Sequence, residues 1–556
     1  VRAALAHPRG AAVYVTGPPA VYADIQTATS SDLRRAETVG VPAALLVLVA
    51  AFGTLVAASI PLVVGGVAVL CTLGLLYLVA LHAPLSIFVL NIATMLGLGV
   101  GVDYALLAVS RFREELRAGR DVGEAVARTV ATAGRAIAFS GVAVLIGLSG
   151  LWVFGLRVLS SMAAGGSLVV AVSALAAITL LPALLGMVGP RVERGAVLPR
   201  RWRRGEHGGA GWARLAHAVM AHPWRFIVGS LALVAVLAAP ARHVTLNVPR
   251  ADVLPASYAS RRGQQLLDAN FSMARLTPIV LAVGPGTDLA ALERRVAAVP
   301  GVASVIGPAQ VPAALGPLYR SRLGAAVEVT LAVDPFGSAG RAVVGRLRSL
   351  PGHGTQFWVT GETAGEVDFL AQIEGRAPLA IAAIFLATYL VLAFAFRSAL
   401  LPLKAIVMNT LSISGAFGVL VWVFQDGHLG GLIGAPATGY IESTLPVVIF
   451  CALFGISMDY EVFMLSRISE AYRAGASNRD AVAVGLVATG RIITSAAAIV
   501  VVVGLSFTTA DVVIVKEVGL GLAVAILLDA TVVRSLLVPA TMRVLGDWNW
   551  WPGGRG

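Results

Sequence analysis

Residues 454–467 read Phe-Gly-Ile-Ser-Met-Asp-Tyr-Glu-Val-Phe-Met-Leu-Ser-Arg, and residues 101–111 read Gly-Val-Asp-Tyr-Ala-Leu-Leu-Ala-Val-Ser-Arg. In both stretches an Asp-Tyr pair stands inside an apolar run, and Ser-Arg follows at the same distance. The two copies are 356 residues apart, and Gly134-Arg135 matches Gly490-Arg491 at that same offset. A third landmark, Val15-Thr16-Gly17, closes a strand before a polar helix, as Val359-Thr360-Gly361 does 344 residues later. A chain that resembles itself in this way is read as a duplication. The smaller offset places extra residues in the second copy, and the Gly-rich stretch 425–442 is the insertion opposite the tight His82-Ala83-Pro84 turn. The copies begin on the same side of the membrane, so they are parallel repeats.

The 556 residues are 57% hydrophobic and only 13% charged, against about a quarter charged in ordinary soluble domains. So few charges cannot solvate a chain of this length, and lipid is the surrounding that fits. The net charge of +12 comes from arginines clustered between apolar stretches, a membrane pattern that argues against a nucleic-acid partner. Cys71 and Cys451 each lie in an apolar run, which excludes a disulfide framework. His82, His217, His222, His243, His353 and His428 are scattered without metal-ligand spacing, so no metal site is expected.

Eleven stretches reach the roughly 20 apolar residues that a bilayer requires: 41–58, 60–82, 86–108, 136–156, 160–187, 225–241, 378–396, 399–424, 444–465, 491–508 and 517–541. Ser59-Ile60-Pro61, Ala83-Pro84 and Pro182 are read as breaks between them. The loops 109–135, 188–224 and 466–490 are rich in arginine, including Arg200, Arg201, Arg203 and Arg204 in the second. They fall on one side, which the positive-inside rule assigns to the cytoplasm. Residues 1–40 and 242–377 then lie outside. Strand-like runs at 243–248, 279–283, 326–333 and 356–360 alternate with helical runs at 258–272, 287–298 and 338–350, predicting a split β-α-β sandwich.

The predicted organisation is therefore a polytopic α-helical membrane protein in two parallel repeats. Residues 1–40 are the remnant of an N-terminal α/β domain, 41–188 the first bundle, 189–224 a cytoplasmic linker and 225–241 the first helix of the second repeat. Residues 242–377 form an extracytoplasmic α/β domain, 378–545 the second bundle and 546–556 a cytoplasmic tail. The second copy has a span and most of an α/β domain ahead of its Val-Thr-Gly signature. The corresponding part of the first copy is expected upstream of Val1, giving twelve spans in the parent.

A carboxylate at mid-membrane costs on the order of 2.5–3.5 kcal/mol on insertion scales, and Asp103 and Asp459 incur it at equivalent places in both repeats. Arg111 and Arg467, eight residues on, mark the membrane interface about 12 Å away along a helix. Reversible protonation is the chemistry that fits, with Tyr104 and Tyr460 offering hydroxyls across the repeat interface, where transporters place their working sites. The plainer alternative is a pair of aspartates neutralised by arginine to fix helix packing. Gly97, Gly99 and Gly101, with Gly455 in the second copy, are read as allowing the two aspartate helices to pack closely. Asp529 with Arg534 either joins this polar cluster or forms a separate ion pair near the helix end. Ser140, Thr494 and Ser495 are supporting candidates, although membrane hydroxyls often bond their own helix.

These stretches, together with Phe424-Gln-Asp-Gly-His428 and Leu527–Arg534, resemble the MmpL branch of the resistance–nodulation–division superfamily over essentially the whole chain. The resemblance implies a multi-pass protein of the bacterial plasma membrane, exporting lipids or lipid-like hydrophobic metabolites. Protons would be the coupling ion, and no other cofactor is implied. It further implies that Asp103, Tyr104, Asp459 and Tyr460 form the proton relay, that Ser140 lines the same channel, and that the α/β segments are porter domains. Membrane lipids, and a homo-oligomer or accessory membrane proteins, are the expected partners.

Two other classes remain to be weighed. A Patched-like sterol or lipid reader, or a protein-export accessory, would share the architecture without pumping, but such a scaffold has less need of both aspartates. An intramembrane aspartyl protease needs Gly-x-Gly-Asp. Here the spacing is Gly99-Val-Gly101-Val-Asp103, one residue too long, so no catalytic residues are assigned and the chain is not read as an enzyme.

Overall fold

The structure is a computed structural model that describes residues 12–197, 206–312, 314–350 and 356–553. Residues 1–11, the arginines at 200, 201, 203 and 204, and His353 lie outside them. The chain divides into a membrane unit, Ile25–Leu246 with Arg376–Gly556, and an α/β unit, Val1–Asp24 with Asn247–Gly375.

Eleven helices among the described residues are long and apolar enough to cross a membrane: α1 Pro18–Phe52, α2 Leu55–Ala80, α3 Phe88–Arg117, α4 Val122–Phe154, α5 Arg157–Glu193, α6 Pro223–His243, α7 Glu362–Phe396, α8 Leu400–Gln425, α9 Leu445–Arg473, α10 Asn478–Thr509 and α11 Val513–Trp550. Each includes or overlaps one predicted span. The break between the first two is displaced: α1 ends at Phe52, Gly53 takes a left-handed φ of +74°, and α2 runs through Ser59 and Pro61. Proline is tolerated there because neighbouring helices can re-satisfy the backbone group it frees. Pro182 likewise lies inside a helical segment, Leu180–Val188, and the irregularity falls at Thr179, whose φ/ψ of −120°/−67° leaves the helical region. A continuous helix, Pro18–Phe52, therefore joins the later part of the predicted remnant 1–40 to most of the predicted span 41–58, and only its part up to Asp24 belongs to the α/β unit.

The C-terminal carbonyls of α1 are capped by arginines from other helices, as the negative end of a helix favours. Arg113 donates to the Phe52 carbonyl at 3.0 Å and Arg491 to that of Ala51 at 2.9 Å. Arg113 also holds Glu193 through Nε at 2.8 Å and Nη2 at 2.9 Å, the two-pronged geometry that strengthens an ion pair. The linker carries a helix, Glu206–Ala221, whose Trp212 occupies the space opened by Gly490: a Cβ at 490 would fall 2.5 Å from its ring. The predicted C-terminal tail is docked rather than free. Trp550 is 3% exposed, stacks on Tyr472 at 4.6 Å and donates to Asn478 Oδ1 at 3.1 Å.

In the α/β unit, strands β1 Ile279–Val283, β2 Val302–Ile306, β3 Gly324–Leu331 and β4 Phe357–Thr360 form a sheet in the order β2-β3-β1-β4, with every adjacent pair antiparallel. β1 and β2 are therefore parallel with β3 between them, and helix Leu289–Ala297 connects them. β3 and β4 are parallel around β1, connected by Ser338–Arg348. These are two interleaved split β-α-β motifs. Leu246–Asn247 is not part of this sheet, and β2 was not foreseen. The described N-terminal segment docks on helix Ala259–Asn270: Thr16 Oγ1 donates to the Ser260 carbonyl at 2.8 Å, and Ser260 N donates to Asp24 Oδ2 at 3.1 Å.

Candidate functional site

Asp103 on α3 and Asp459 on α9 are 4% and 7% exposed, each in a helix buried over most of its length. Tyr104 Oη donates to Asp459 Oδ2 at 3.3 Å, and Ser140 Oγ on α4 donates to Tyr104 Oη at 3.2 Å. Ser140, Tyr104 and Asp459 thus form a buried polar chain crossing from the first half to the second. In the reciprocal pair the two side chains lie near each other without the alignment of a hydrogen bond. Tyr460 and Asp103 both line a small cavity of about 10 Å³ with Gly99 and Val500. Neither Tyr460 Oη nor Asp103 Oδ1 has a partner in hydrogen-bonding geometry.

Asp529 and Arg534 belong to the same cluster. They form a buried ion pair at 2.7 Å, and Arg534 Nη2 also donates to the Ser457 carbonyl at 2.6 Å and to Ser457 Oγ at 3.1 Å. The guanidinium lies 5.1 Å from the centre of the Tyr460 ring, within cation–π range. On an ordinary α-helix residues five apart point about 140° from each other. Residues Asp529–Leu537 instead form a π-helical turn, whose i→i+5 bonding brings such residues to the same side. That local widening lets one helix supply both partners.

The glycines act differently from the prediction. A Cβ at Gly97 would meet Val69 at 2.6 Å and Val169 at 2.7 Å, and one at Gly101 would meet Gly65 Cα at 3.1 Å. Both therefore seat α3 against α2 and α5 of its own half. Gly99 has room for a Cβ, 3.7 Å from Val500. The two aspartate helices do not pack along each other; α3 lies on α10 and α9 on α4. The close approach between halves is Gly455 on Gly147, where a Cβ at 455 would sit 2.7 Å from Val144 Cα and one at 147 would sit 2.6 Å from the Cys451 carbonyl oxygen. Gly455 serves close packing, but against α4.

Of the supporting hydroxyls, only Ser140 joins the chain. Thr494 Oγ1 donates to the Gly490 and Arg491 carbonyls of its own helix at 2.8 and 3.2 Å. Ser495 lines a crevice with Arg113, Arg117 and Arg491.

Four further polar residues were passed over. Ser457 Oγ donates to Asn409 Oδ1 at 2.6 Å. Lys404 on α8 and Glu461 on α9 are 7% and 2% exposed, and neither Lys404 Nζ nor Glu461 Oε1 has a hydrogen-bond partner among the described residues. The signal for Lys404 was available: the sequence holds two lysines, Lys404 and Lys516, and both stand in apolar runs. Glu461 was hidden because Ala105 occupies its repeat position. Among the described residues no three His, Cys, Asp or Glu side chains gather into a metal site.

The family described as MMPL matches residues 1–225 and 258–555. The chain belongs to the MMPL family. With eleven membrane-length helices among its described residues it is a multi-pass membrane protein. It is 37% identical over 97% of its length to the mycolic acid-containing lipids exporter MmpL11 of Mycolicibacterium smegmatis, and spans 57% of that protein. It is 33% identical over 98% of its length to the trehalose monomycolate exporter MmpL3 of Mycobacterium tuberculosis, and spans 61% of it. The chain thus covers little more than half the length of these MmpL relatives. Its fold resembles that of SecDF, a translocon-associated membrane protein from Thermus thermophilus. The TM-score is 0.56 at 16% identity, covering 96% of this chain and 63% of that one.

Proposed function

We propose that this MMPL-family chain is the membrane engine of a lipid exporter of the bacterial inner membrane, driven by protons passing through the buried aspartates. The lipid part follows its relatives, whose names give mycolic acid-containing lipids and trehalose monomycolate as cargo. The proton part is supported above all by the Ser140–Tyr104–Asp459 chain, which runs between the two halves where a change in their relative position would remake it. Asp103 offers a second carboxylate beside Tyr460, and Arg534 supplies a fixed positive charge nearby. In this reading the arginine-rich loops 109–135, 188–224 and 466–490 face the cytoplasm, and the α/β unit faces outward and passes cargo on.

The test is reconstitution of the full-length protein into vesicles with a fluorescent glycolipid and an internal pH dye. An imposed pH gradient should drive lipid transfer together with proton movement, and a protonophore, which dissipates the gradient through the bilayer itself, should abolish the lipid transfer. Lipid transfer that is indifferent to the protonophore would overturn the proton-driven reading. Proton movement without any lipid transfer would overturn the lipid reading alone.

A further inference from the structure

A cleft of about 1090 Å³ opens in the membrane unit at the ends of α3, α7 and α9 and beside the start of α4. Both halves build it. The Ser110-Arg111 and Ser466-Arg467 landmarks, which the aspartate site does not use, both line it. Arg135, Arg397 and Arg473 complete a set of five arginines, set against only Glu114 and Glu470.

The acids do not neutralise that set. Arg111 is paired with Glu114 at 3.1 Å and Glu115 at 2.6 Å, and Arg467 with Glu470 at 3.2 Å. Arg135, Arg397 and Arg473 form no ion pair among the described residues. Arg397 is held in place at the cost of backbone strain, with φ +53° in a non-glycine residue. Gly553 N donates to its carbonyl at 3.1 Å, Ala399 N donates to the Trp551 carbonyl at 2.9 Å, and Ser398 Oγ donates to the Asn549 carbonyl at 2.7 Å. The remaining wall is apolar and aromatic, with Leu107, Phe139, Phe394 and Phe463. Phe139 and Phe394 are 44% and 84% exposed.

We propose that this cleft binds an anionic phospholipid from the leaflet on the arginine-rich side, its phosphate held by the unpaired arginines and its acyl chains on the phenylalanines. Guanidinium groups match phosphate oxygens in geometry as well as charge, and basic pockets between membrane helices are suited to such headgroups. A soluble phosphate would leave the apolar wall unused. Because Arg135 belongs to the first half and Arg397 and Arg473 to the second, the bound lipid ties the halves together.

The experiment is native mass spectrometry of the full-length protein released from nanodiscs containing equal amounts of phosphatidylglycerol and phosphatidylcholine. Wild type should retain phosphatidylglycerol at least tenfold over phosphatidylcholine. The triple variant Arg135→Gln, Arg397→Gln, Arg473→Gln should lose that preference at unchanged melting temperature, and Arg225→Gln, outside the cleft, should keep it. Ala395→Trp fills the cleft without altering its charge and should also abolish retention, which guards against a triple variant that fails to fold. The proposal falls if wild type retains both lipids alike, if Ala395→Trp leaves retention intact, or if Arg225→Gln lowers it as much as the triple change. It also falls if inorganic phosphate or glycerol phosphate displaces the lipid. None of these outcomes depends on proton coupling.

Discussion

The two halves of the membrane unit share a scaffold and differ in what they bury. At the spacing that relates Asp103 to Asp459, the first half has Gly101, Ala105, Ser173 and Ile178 where the second has Ser457, Glu461, Asp529 and Arg534. The second half is therefore the charged one, with an ion pair and a guanidinium beside its aspartate. The first half contributes the hydroxyl instead, because Ser140 stands where the second has Ala496. The structure carries this inequality through: one tyrosine–aspartate pair across the interface is hydrogen-bonded and the other is not. Duplication supplied the symmetry, and a few substitutions made the two carboxylates unequal.

The largest effect is expected at the feature the halves share. Asp103→Asn and Asp459→Asn in the full-length protein should each lower proton flux in vesicles more than 100-fold while the protein still assembles. Full flux in either variant would end the relay proposal. Next comes the charge found only in the second half. Arg534→Met leaves Asp529 buried and uncompensated, and should destabilise the protein by about 3–5 kcal/mol, whereas Asp529→Leu with Arg534→Met should recover most of it. Unfolding in detergent measures both. If the double variant stays as unstable as the single, Arg534 matters more through Ser457 and Tyr460 than through Asp529.

The tyrosines sharpen the comparison further. Tyr104→Phe breaks the Ser140–Asp459 chain and should slow proton flux about tenfold, equivalent to about 1.4 kcal/mol. Tyr460→Phe, which loses no hydrogen bond in this conformation, should change it about twofold. Equal effects would mean that the Asp103–Tyr460 pair aligns into a hydrogen bond during turnover. The smallest effects belong to the hydroxyl asymmetry. Ser140→Ala should reduce flux about fivefold, the worth of about one hydrogen bond of 1 kcal/mol, and Ala496→Ser should leave it within about twofold.

The existence of the spans was legible because twenty apolar residues have few other uses, and the aspartate pair because repetition at a fixed spacing stands out in so biased a sequence. What repetition could not reveal was whatever the copies do not share, so Lys404 and Glu461 went unread. The π-helical turn that joins Asp529 to Arg534 depends on packing and leaves no periodicity to detect. β2 escaped because its alternation is interrupted, with Ala303 and Ser304 both exposed where the pairing with β3 shifts register, whereas a half-buried strand usually alternates throughout. The glycines were recognised as contact residues but assigned the wrong neighbour, since spacing along one helix does not say which helix faces it.

The Gly147–Gly455 contact makes a fulcrum. Seven residues, or about 10.5 Å of helix, separate it from Ser140 on α4. A tilt of about 10° around that point would swing the serine by about 2 Å along so short an arm. Tyr104, hydrogen-bonded to that serine within the same half, would travel with it, and set against a Tyr104–Asp459 separation of 3.3 Å the displacement is enough to make or sever the link between halves, so a rocking motion too slight to reshape either bundle would work as an electrical contact breaker.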